Sequence, residues 1–211
     1  MKKRFTVIPL LLALFLVFAA CGQVSTDNSP PPQDDESVSK IEISEDTAQV
    51  SESKKDNLVV VFSATGTTKA VAERIKALTG ADLYEIRPVQ PYTSNDLNWQ
   101  DQNSRATKEQ NDSSVRPEIG SERIDLAGYK TVYLGYPIWF GQAPRILSTF
   151  AEGYDFTGIT VIPFCTSGSS DIGQSDDTLA EQAGSGNWLQ GKRFSGGVSD
   201  DELQSWIDSL R

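Results

Sequence analysis

A short apolar run that gives way abruptly to hydroxyl side chains constrains this chain more than any other feature. The run Leu58–Phe62 is uninterrupted, as is typical of a strand buried on both faces of a sheet. Ser63–Thr68 then brings four hydroxyls and one glycine, and apolar residues recur at helical spacing from Val71 to Leu78. The stretch predicts a strand, a turn and a helix whose free N–H groups suit a phosphate. An ordinary helix capped by Ser or Thr is the alternative.

The residue content excludes several kinds of chemistry. The 211 residues include no histidine and only two cysteines, Cys21 and Cys165. That removes His-dependent nucleophilic catalysis, His-ligated metals, and zinc or iron–sulfur clusters held by the cysteines of one chain. The formal net charge of −10 repels phosphates, so no nucleic-acid partner is expected. Any chemistry must then come from carboxylates or from a bound organic cofactor, and Cys165 is interpreted as a small buried residue without a role.

Short apolar runs alternate with helical patterns along the rest of the chain. The predicted strands are Leu58–Phe62, Ala81–Ile86, Thr131–Leu134, Ile159–Phe164 and Asn187–Phe194, and helices are predicted after the first strand and over Ala143–Phe150, Asp171–Ala183 and Asp200–Leu210. This alternation predicts an α/β fold with a parallel sheet covered on both faces. Arg87–Glu118 is a long polar segment with a weak helical pattern over Ser94–Asn111. A connection of that length is usually functional or mobile.

Two further unusual loops follow the third and fourth predicted strands. Tyr136–Pro144 has the Gly and Pro content of a loop, yet it carries three aromatic residues. Thr166–Ser170 is built only of Thr, Ser and Gly. Together with Ser63–Thr68, these loops resemble those of the flavodoxin family. Ser63, Thr65, Gly66 and Thr68 match the family's Ser/Thr-x-Thr-Gly-x-Thr phosphate loop position for position, and the resemblance extends over residues 58–211.

The resemblance implies a fold and a cofactor. The fold is a flavodoxin-like, doubly wound, five-stranded parallel sheet in the order 2-1-3-4-5, with helices on both faces. In that order the carboxyl ends of strands 1, 3 and 4 lie side by side, which is where the three unusual loops begin. The cofactor is FMN, and the family uses it for electron transfer.

The resemblance also assigns residues to each part of FMN. Those for the phosphate are Ser63, Ala64, Thr65, Gly66, Thr67 and Thr68; those beside the ring are Pro137, Ile138, Trp139, Phe140 and Gly141; those at the pyrimidine edge are Thr166, Ser167, Gly168 and Ser169. Trp139 takes the stacking position, since an indole face suits a flat apolar ring; a core or dimer contact is the alternative. The loop after strand 4 contains no aromatic residue, so the outer ring face is expected to be open, or covered by Tyr92 or Trp99.

The first 57 residues predict a leader and a tether. Met1–Arg4 is basic, and Phe5–Phe18 is an apolar run of signal-peptide length. The junction at residues 19–22 resembles a bacterial lipobox, which implies that residues 1–20 are removed and that Cys21 carries lipid. A plain secretory signal cut after Ala20, or an uncleaved anchor, is the alternative. Residues 21–57 predict a disordered tether, and residues 58–211 the folded domain.

Together these patterns predict an extracytoplasmic protein, anchored to the cell membrane by lipid, that binds FMN and exchanges electrons with a redox partner protein or a small acceptor. An FMN-dependent, NAD(P)H-linked reductase of quinones or other small acceptors is the alternative. A flavin-free binding module is the third interpretation. No catalytic side chain and no metal ligand is expected.

Overall fold

The computed structural model describes residues 56–210, so the leader, Cys21 and nearly all of the predicted tether lie outside the described residues. Within that range the chain forms six strands and five helices. In order they are β1 (Asn57–Phe62), α1 (Thr67–Thr79), β2 (Asp82–Ile86), α2 (Arg105–Asn111), β3 (Thr131–Pro137), α3 (Arg145–Gly153), β4 (Thr160–Thr166), α4 (Ser175–Ala183), β5 (Asn187–Trp188), β6 (Lys192–Phe194) and α5 (Asp200–Ser209). None of these helices is both long and apolar enough to cross a membrane.

The strands form one parallel sheet in the order β2-β1-β3-β4-β5, which confirms the predicted topology. The register aligns the ends of the central strands, because Val61 pairs with Gly135 and Gly135 with Phe164. The chain therefore leaves β1, β3 and β4 at the same edge of the sheet.

Strand β1 is buried on both faces, as its apolar run predicts. Leu58–Phe62 are at most 1% exposed. Leu58, Val60 and Phe62 pack in the core that contains the apolar side chains of α3 and α4. Val59 and Val61 pack in the other core, with those of α1 and α5. The alternation follows from the two-residue period of a strand, and it places one helical layer on each face.

The predicted fifth strand, Asn187–Phe194, is wrong as a single element. It is divided into β5 and β6, which pair with the two ends of β4. Leu189 N–H still donates to Val161 C=O, at 2.9 Å. The next residue of β4 that faces this side is Pro163, which has no N–H to donate, so the ladder is interrupted there. Gly191 N–H turns instead to the Asp176 carboxylate, at 2.7 Å.

Two helices begin later than the sequence predicts. Helix α3 starts at Arg145 rather than Ala143, because Pro144 occupies the N-cap position with an extended backbone. Helix α4 starts at Ser175 rather than Asp171, because Gly173 has φ +64°, which is incompatible with a right-handed helix.

The connecting segment, residues 87–121, is ordered by local side-chain contacts. The helix predicted over Ser94–Asn111 is reduced to the seven residues of α2. Upstream of it, the Asp96 carboxylate accepts from Thr93 N–H, Asn98 from Gln100 N–H, and Asp101 from Asn103 N–H. Such bonds compete with the helical pattern and make turns instead. The segment's two ends meet in an antiparallel bridge between Pro88 and Ile119.

Gly135 offers a test of how tightly the sheet packs. A Cβ at this position would stand 2.2 Å from Phe164 Cζ, and the Phe164 ring is fully buried. We expect Gly135→Ala to lower the free energy of unfolding by about 2–3 kcal/mol, measured by urea denaturation, because the ring must move. Gly197→Ala is the control, since a Cβ there meets nothing within 4 Å. A loss no greater than in the control would contradict this packing.

Candidate functional site

Three loops meet at the carboxyl edge of the sheet and enclose a cleft of about 680 Å³. The loops after β1, β3 and β4 contribute Thr65, Ile138, Trp139, Phe140, Ser169 and Ser170, and the connecting segment closes one side with Leu97, Trp99 and Ala106. The structure thus brings one or more residues of each predicted group into one cleft. No carboxylate of the described chain lines it, although the protein as a whole is strongly acidic.

The start of α1 is open to solvent at this cleft. Its N-cap is Gly66, with φ +88°, and within residues 56–210 no side-chain hydrogen bond caps it. By contrast, Ser104 caps α2 and Ser199 caps α5 with their hydroxyls. The ordinary capped helix, considered above as an alternative, is therefore wrong for α1. Thr65 and Thr67 are exposed at this end, with their hydroxyls 3.5 Å apart.

Of the residues predicted to bind the phosphate, Thr68 lies in the protein interior, and Ser63 and Ala64 lie to one side of the cleft. Thr68 is buried, and its hydroxyl shares a 2.8 Å hydrogen bond with the hydroxyl of Thr166, also buried, at the end of β4. This bond joins the first and third loops beneath the cleft. Ser63 and Ala64 line a neighbouring groove beside residues 85–92 rather than the cleft itself.

The loop after β4 is held by Arg193 of β6, a residue that the sequence analysis missed. Arg193 Nη2 donates to the carbonyls of Ser167 and Gly168, at 2.9 and 2.8 Å. Ser167 N–H donates to Phe194 C=O at 3.3 Å, so that N–H is not free for a ligand. Within the described chain, the N–H groups of Gly168 and Ser169 make no hydrogen bond. Among the residues predicted at the pyrimidine edge, these two therefore keep backbone donors for a ligand.

The loop after β3 contains a tight two-residue turn. After Pro137 ends β3, Trp139 and Gln142 exchange both backbone hydrogen bonds, at 2.9 and 3.0 Å. Phe140 and Gly141 between them have φ +50° and +77°, the signs of a type I′ turn. Gly141 adopts this conformation at little cost, whereas Phe140 is strained. The Phe140 side chain is 47% exposed, so burial of the ring does not explain why a strained residue stands here.

The Trp139 side chain packs against two other aromatic rings while it lines the cleft. Its ring meets Phe62 edge-on at 5.6 Å between centroids and Tyr92 at 5.0 Å. Tyr92 is fixed below by its hydroxyl, which donates to Glu109 at 2.5 Å. Of the two aromatics considered as covers for the outer ring face, only Trp99 lines the cleft, and it is 68% exposed. Stacking of a ligand on Trp139 stays a prediction.

Gln110 of α2 fastens the turn from behind, and no sequence pattern pointed to it. Its Nε2 donates to Trp139 C=O at 2.9 Å and to Ala143 C=O at 3.2 Å, which are the carbonyls on either side of the turn. Gln110 is 8% exposed, and its Oε1 is buried with no donor in the described part of the chain. The connecting segment thus holds the loop after β3 in place through Gln110, and it also lines the cleft directly with Leu97, Trp99 and Ala106.

The Cys165 thiol is not a candidate for chemistry. It is fully buried in β4, and burial raises its pKa to about 12. A thiol with so high a pKa is almost entirely protonated at neutral pH and is a poor nucleophile. Across residues 56–210, no three carboxylate or thiol side chains are grouped so as to hold a metal ion.

The fold agrees with comparisons to known proteins. The flavodoxin family model matches residues 56–210, and the chain therefore belongs to the flavodoxin family. A candidate flavoprotein of Bacteroides eggerthii is 44% identical, with 74% of this chain and 97% of that chain covered and a TM-score of 0.69. A second, from Bacteroides uniformis, is 42% identical, with 74% and 99% covered and a TM-score of 0.70.

A more distant solved structure contains FMN. A flavoprotein of Lactobacillus acidophilus, solved in complex with FMN, is 22% identical, with 72% of this chain and 99% of that chain covered and a TM-score of 0.55. At this identity the likeness shows the shared fold. Among curated protein sequences no match is found.

The strain at Phe140 can be measured with two truncations. Phe140→Ala and Phe140→Gly both remove the ring, but only glycine relieves the positive φ. At ordinary positions the glycine variant is the less stable of such a pair. Here we expect the glycine variant to be more stable by about 1 kcal/mol in urea denaturation. The usual order, with alanine the more stable, would show that Phe140 is not strained in the free protein.

Proposed function

We propose that this chain is an FMN-binding electron carrier tethered outside the cytoplasm. The observation that carries the FMN assignment is the open start of α1 at the edge of the cleft, with no side chain capping it in the described chain and two exposed threonine hydroxyls beside it. FMN, when bound, supplies reversible redox chemistry, and the protein supplies position and electrostatics.

The α1 end suits a phosphate for electrostatic reasons. Unbonded backbone N–H groups and the positive end of the helix dipole favour an anion there. The hydroxyls of Thr65 and Thr67 can donate to phosphate oxygens. The nearest lysine of this helix, Lys69, is paired with Glu85 at 2.9 Å, and that carboxylate raises the pKa of the lysine. We infer that N–H and hydroxyl donors, rather than a lysine or arginine side chain, hold the phosphate.

The cleft suits a flat aromatic ring. Its walls include Ile138, Trp139 and Phe140 on one side and Trp99 on the connecting segment. Aromatic side chains favour stacked or edge-on contacts with such a ring. The N–H groups of Gly168 and Ser169 would donate to the carbonyl oxygens at the pyrimidine edge. These are the roles that the family resemblance gives to the same residues.

A reductase of small acceptors is the second candidate, and one feature favours it. Phe140 and Trp99 both line the cleft and are exposed, so this side of the cleft is accessible to a small molecule from solution. Steady oxidation of NAD(P)H by a quinone, catalysed by the FMN-loaded protein, would establish the reductase. Electron exchange only with a redox protein would establish the carrier.

The phosphate assignment predicts that FMN binds much more tightly than riboflavin. Each hydrogen bond to a charged phosphate contributes roughly 1.5–3 kcal/mol. Thr65→Ala should therefore weaken FMN binding by about 10–100-fold, measured by fluorescence quenching of the flavin, and leave riboflavin binding unchanged. Ser205→Ala on α5 is the control, because it removes an exposed hydroxyl far along the chain from the cleft. Equal affinity for FMN and riboflavin would rule out the assignment.

The tether part of the proposal depends on Cys21 and the lipobox-like junction around it. We propose that lipid on the Cys21 sulfur holds the protein at the outer side of the cell membrane. Two or more acyl chains are needed, since one chain binds a membrane only marginally.

Cys21→Ser should release or mislocalise the protein, since serine has no thiol to acylate. The measurement is membrane fractionation, with protease accessibility in intact cells to show the side that the domain faces. Cys165→Ser is the matched control, because it changes the other cysteine and leaves the junction intact. A Cys21→Ser protein that is still cleaved and still partitions with membranes would refute lipid anchoring at this residue.

A further inference from the structure

A second, smaller cavity lies behind the Phe140–Gly141 turn, between the starts of α3 and α4. Its volume is about 210 Å³. Its polar lining side chains are Gln142, Arg145, Ser148, Gln174, Ser175 and Thr178, and no carboxylate in the described range lines it. We refer to it as the Arg145 pocket. In a chain with a net charge of −10, a pocket with a cation and no acid in its lining is unusual.

The charge of Arg145 is only partly matched by the protein. Arg145 is 6% exposed. Its Nε donates to Glu109 C=O at 3.3 Å and its Nη2 to Gln110 C=O at 2.9 Å, and both carbonyls lie in the last turn of α2. The negative end of that short helix offsets part of the charge. Among residues 56–210, however, Arg145 forms no ion pair, and its Nη1 makes no hydrogen bond.

The carboxylates of Asp112, Asp176 and Glu152 form hydrogen bonds with other groups. Asp112 accepts from Ser114 N–H and from its hydroxyl, at 2.9 and 2.6 Å. Asp176, in the first turn of α4, accepts from Gly191 N–H. Arg116 is a second cation near Arg145, and its own partner is Glu152. Burial and the charge of Arg116 lower the pKa of the Arg145 guanidinium, and the charge of Asp112 offsets part of that lowering. Within residues 56–210, however, no carboxylate forms an ion pair with this guanidinium.

We propose that the Arg145 pocket binds a small oxyanion of the carboxylate or phosphate type. A guanidinium presents its N–H groups as a planar fork that matches two oxygens of such an anion. The start of α3 also opens at the pocket, and among the described residues its N-cap, Pro144, has no side-chain bond to offer. Ser148 and Thr178 supply hydroxyls. The acidic first turn of α4 weakens that helix's contribution, so Arg145 is the main anion ligand.

The pocket shares a wall with the turn that faces the larger cleft. Gly141 and Gln142 line the Arg145 pocket, while Phe140 lines the cleft. An anion beside Arg145 would therefore lie next to the turn that contributes Phe140 to the cleft. The proposal itself does not depend on FMN and can be tested without it.

The test is the thermal unfolding of the purified full-length protein, without FMN, in sodium phosphate and in sodium acetate at an ionic strength held constant with sodium chloride. We expect a saturable rise in the unfolding midpoint with at least one of the two oxyanions. Acetate alone would identify a carboxylate site, and phosphate alone a tetrahedral-anion site. No saturable rise with either would overturn the proposal.

Gln142→Glu should stabilise the protein without added anion and make it less responsive to anion. It places a carboxylate on the pocket lining, so it should raise the midpoint without added anion and weaken the anion response by at least about tenfold. Gln102→Glu is the matched control, because Gln102 is exposed on the connecting segment and lines neither cavity. Equal anion responses in the two variants would overturn the proposal.

Two further variants separate this site from the α1 end and from the fold. Arg145→Lys keeps the charge but loses the fork, and it should weaken the response by at least about tenfold while the protein stays folded. Thr65→Ala alters the proposed phosphate site at α1 and should leave intact the part of the response that Arg145→Lys removes. Loss of the response in Thr65→Ala would mean that the anion binds at α1 only, which would overturn the Arg145 site and support the phosphate site of the proposed function.

Discussion

The site depends on the parallel pairing of three neighbouring strands, β1, β3 and β4. Parallel strands run in one direction, so their carboxyl ends and the loops that follow lie along the same edge. The hydrogen bond between the buried hydroxyls of Thr68 and Thr166 then joins the start of α1 to the end of β4. Because side chains alternate between the two faces of a strand, a slip of β1 by one residue would move every one of its side chains into the opposite core. The position of the α1 end is therefore a property of the core rather than of a loop.

The connecting segment turns this generic edge into a particular cleft. Glu109 is 8% exposed, accepts a hydrogen bond from the Tyr92 hydroxyl and forms an ion pair with Arg105 at 2.6 Å. Because all three residues belong to the connecting segment, these contacts stabilise its internal structure. Gln110 and Arg145 then join it to the loop after β3 and to α3. The segment thereby presents Trp99 to the cleft and holds the turn that bears Phe140. Removing one partner from such a buried polar network leaves the others unsatisfied, so its members act as a unit.

The sequence predicted the elements whose pattern is local. The apolar run of β1, the hydroxyl-rich turn and the strand order all follow from residues that are close in the chain or from the family resemblance. The contacts of Gln110 and Arg193 were not predictable in this way, because each joins segments at least 25 residues apart through a single polar side chain. The division of the fifth strand had a visible signal: Pro163 in the middle of the fourth strand removes a ladder donor. The strain at Phe140 had none, since an aromatic residue is uncommon at positive φ.

The interruption opposite Pro163 has a consequence for the protein's behaviour in a crowded solution. A long, regular edge strand offers a row of unpaired backbone groups on which a strand of another molecule can add. Here that edge consists of two strands of two and three residues, separated by residues 189–191. A foreign strand would find only a few consecutive backbone groups in register before this interruption. The proline that breaks the ladder therefore also protects this side of the sheet against edge-to-edge association and the fibrillar aggregates that can grow from it.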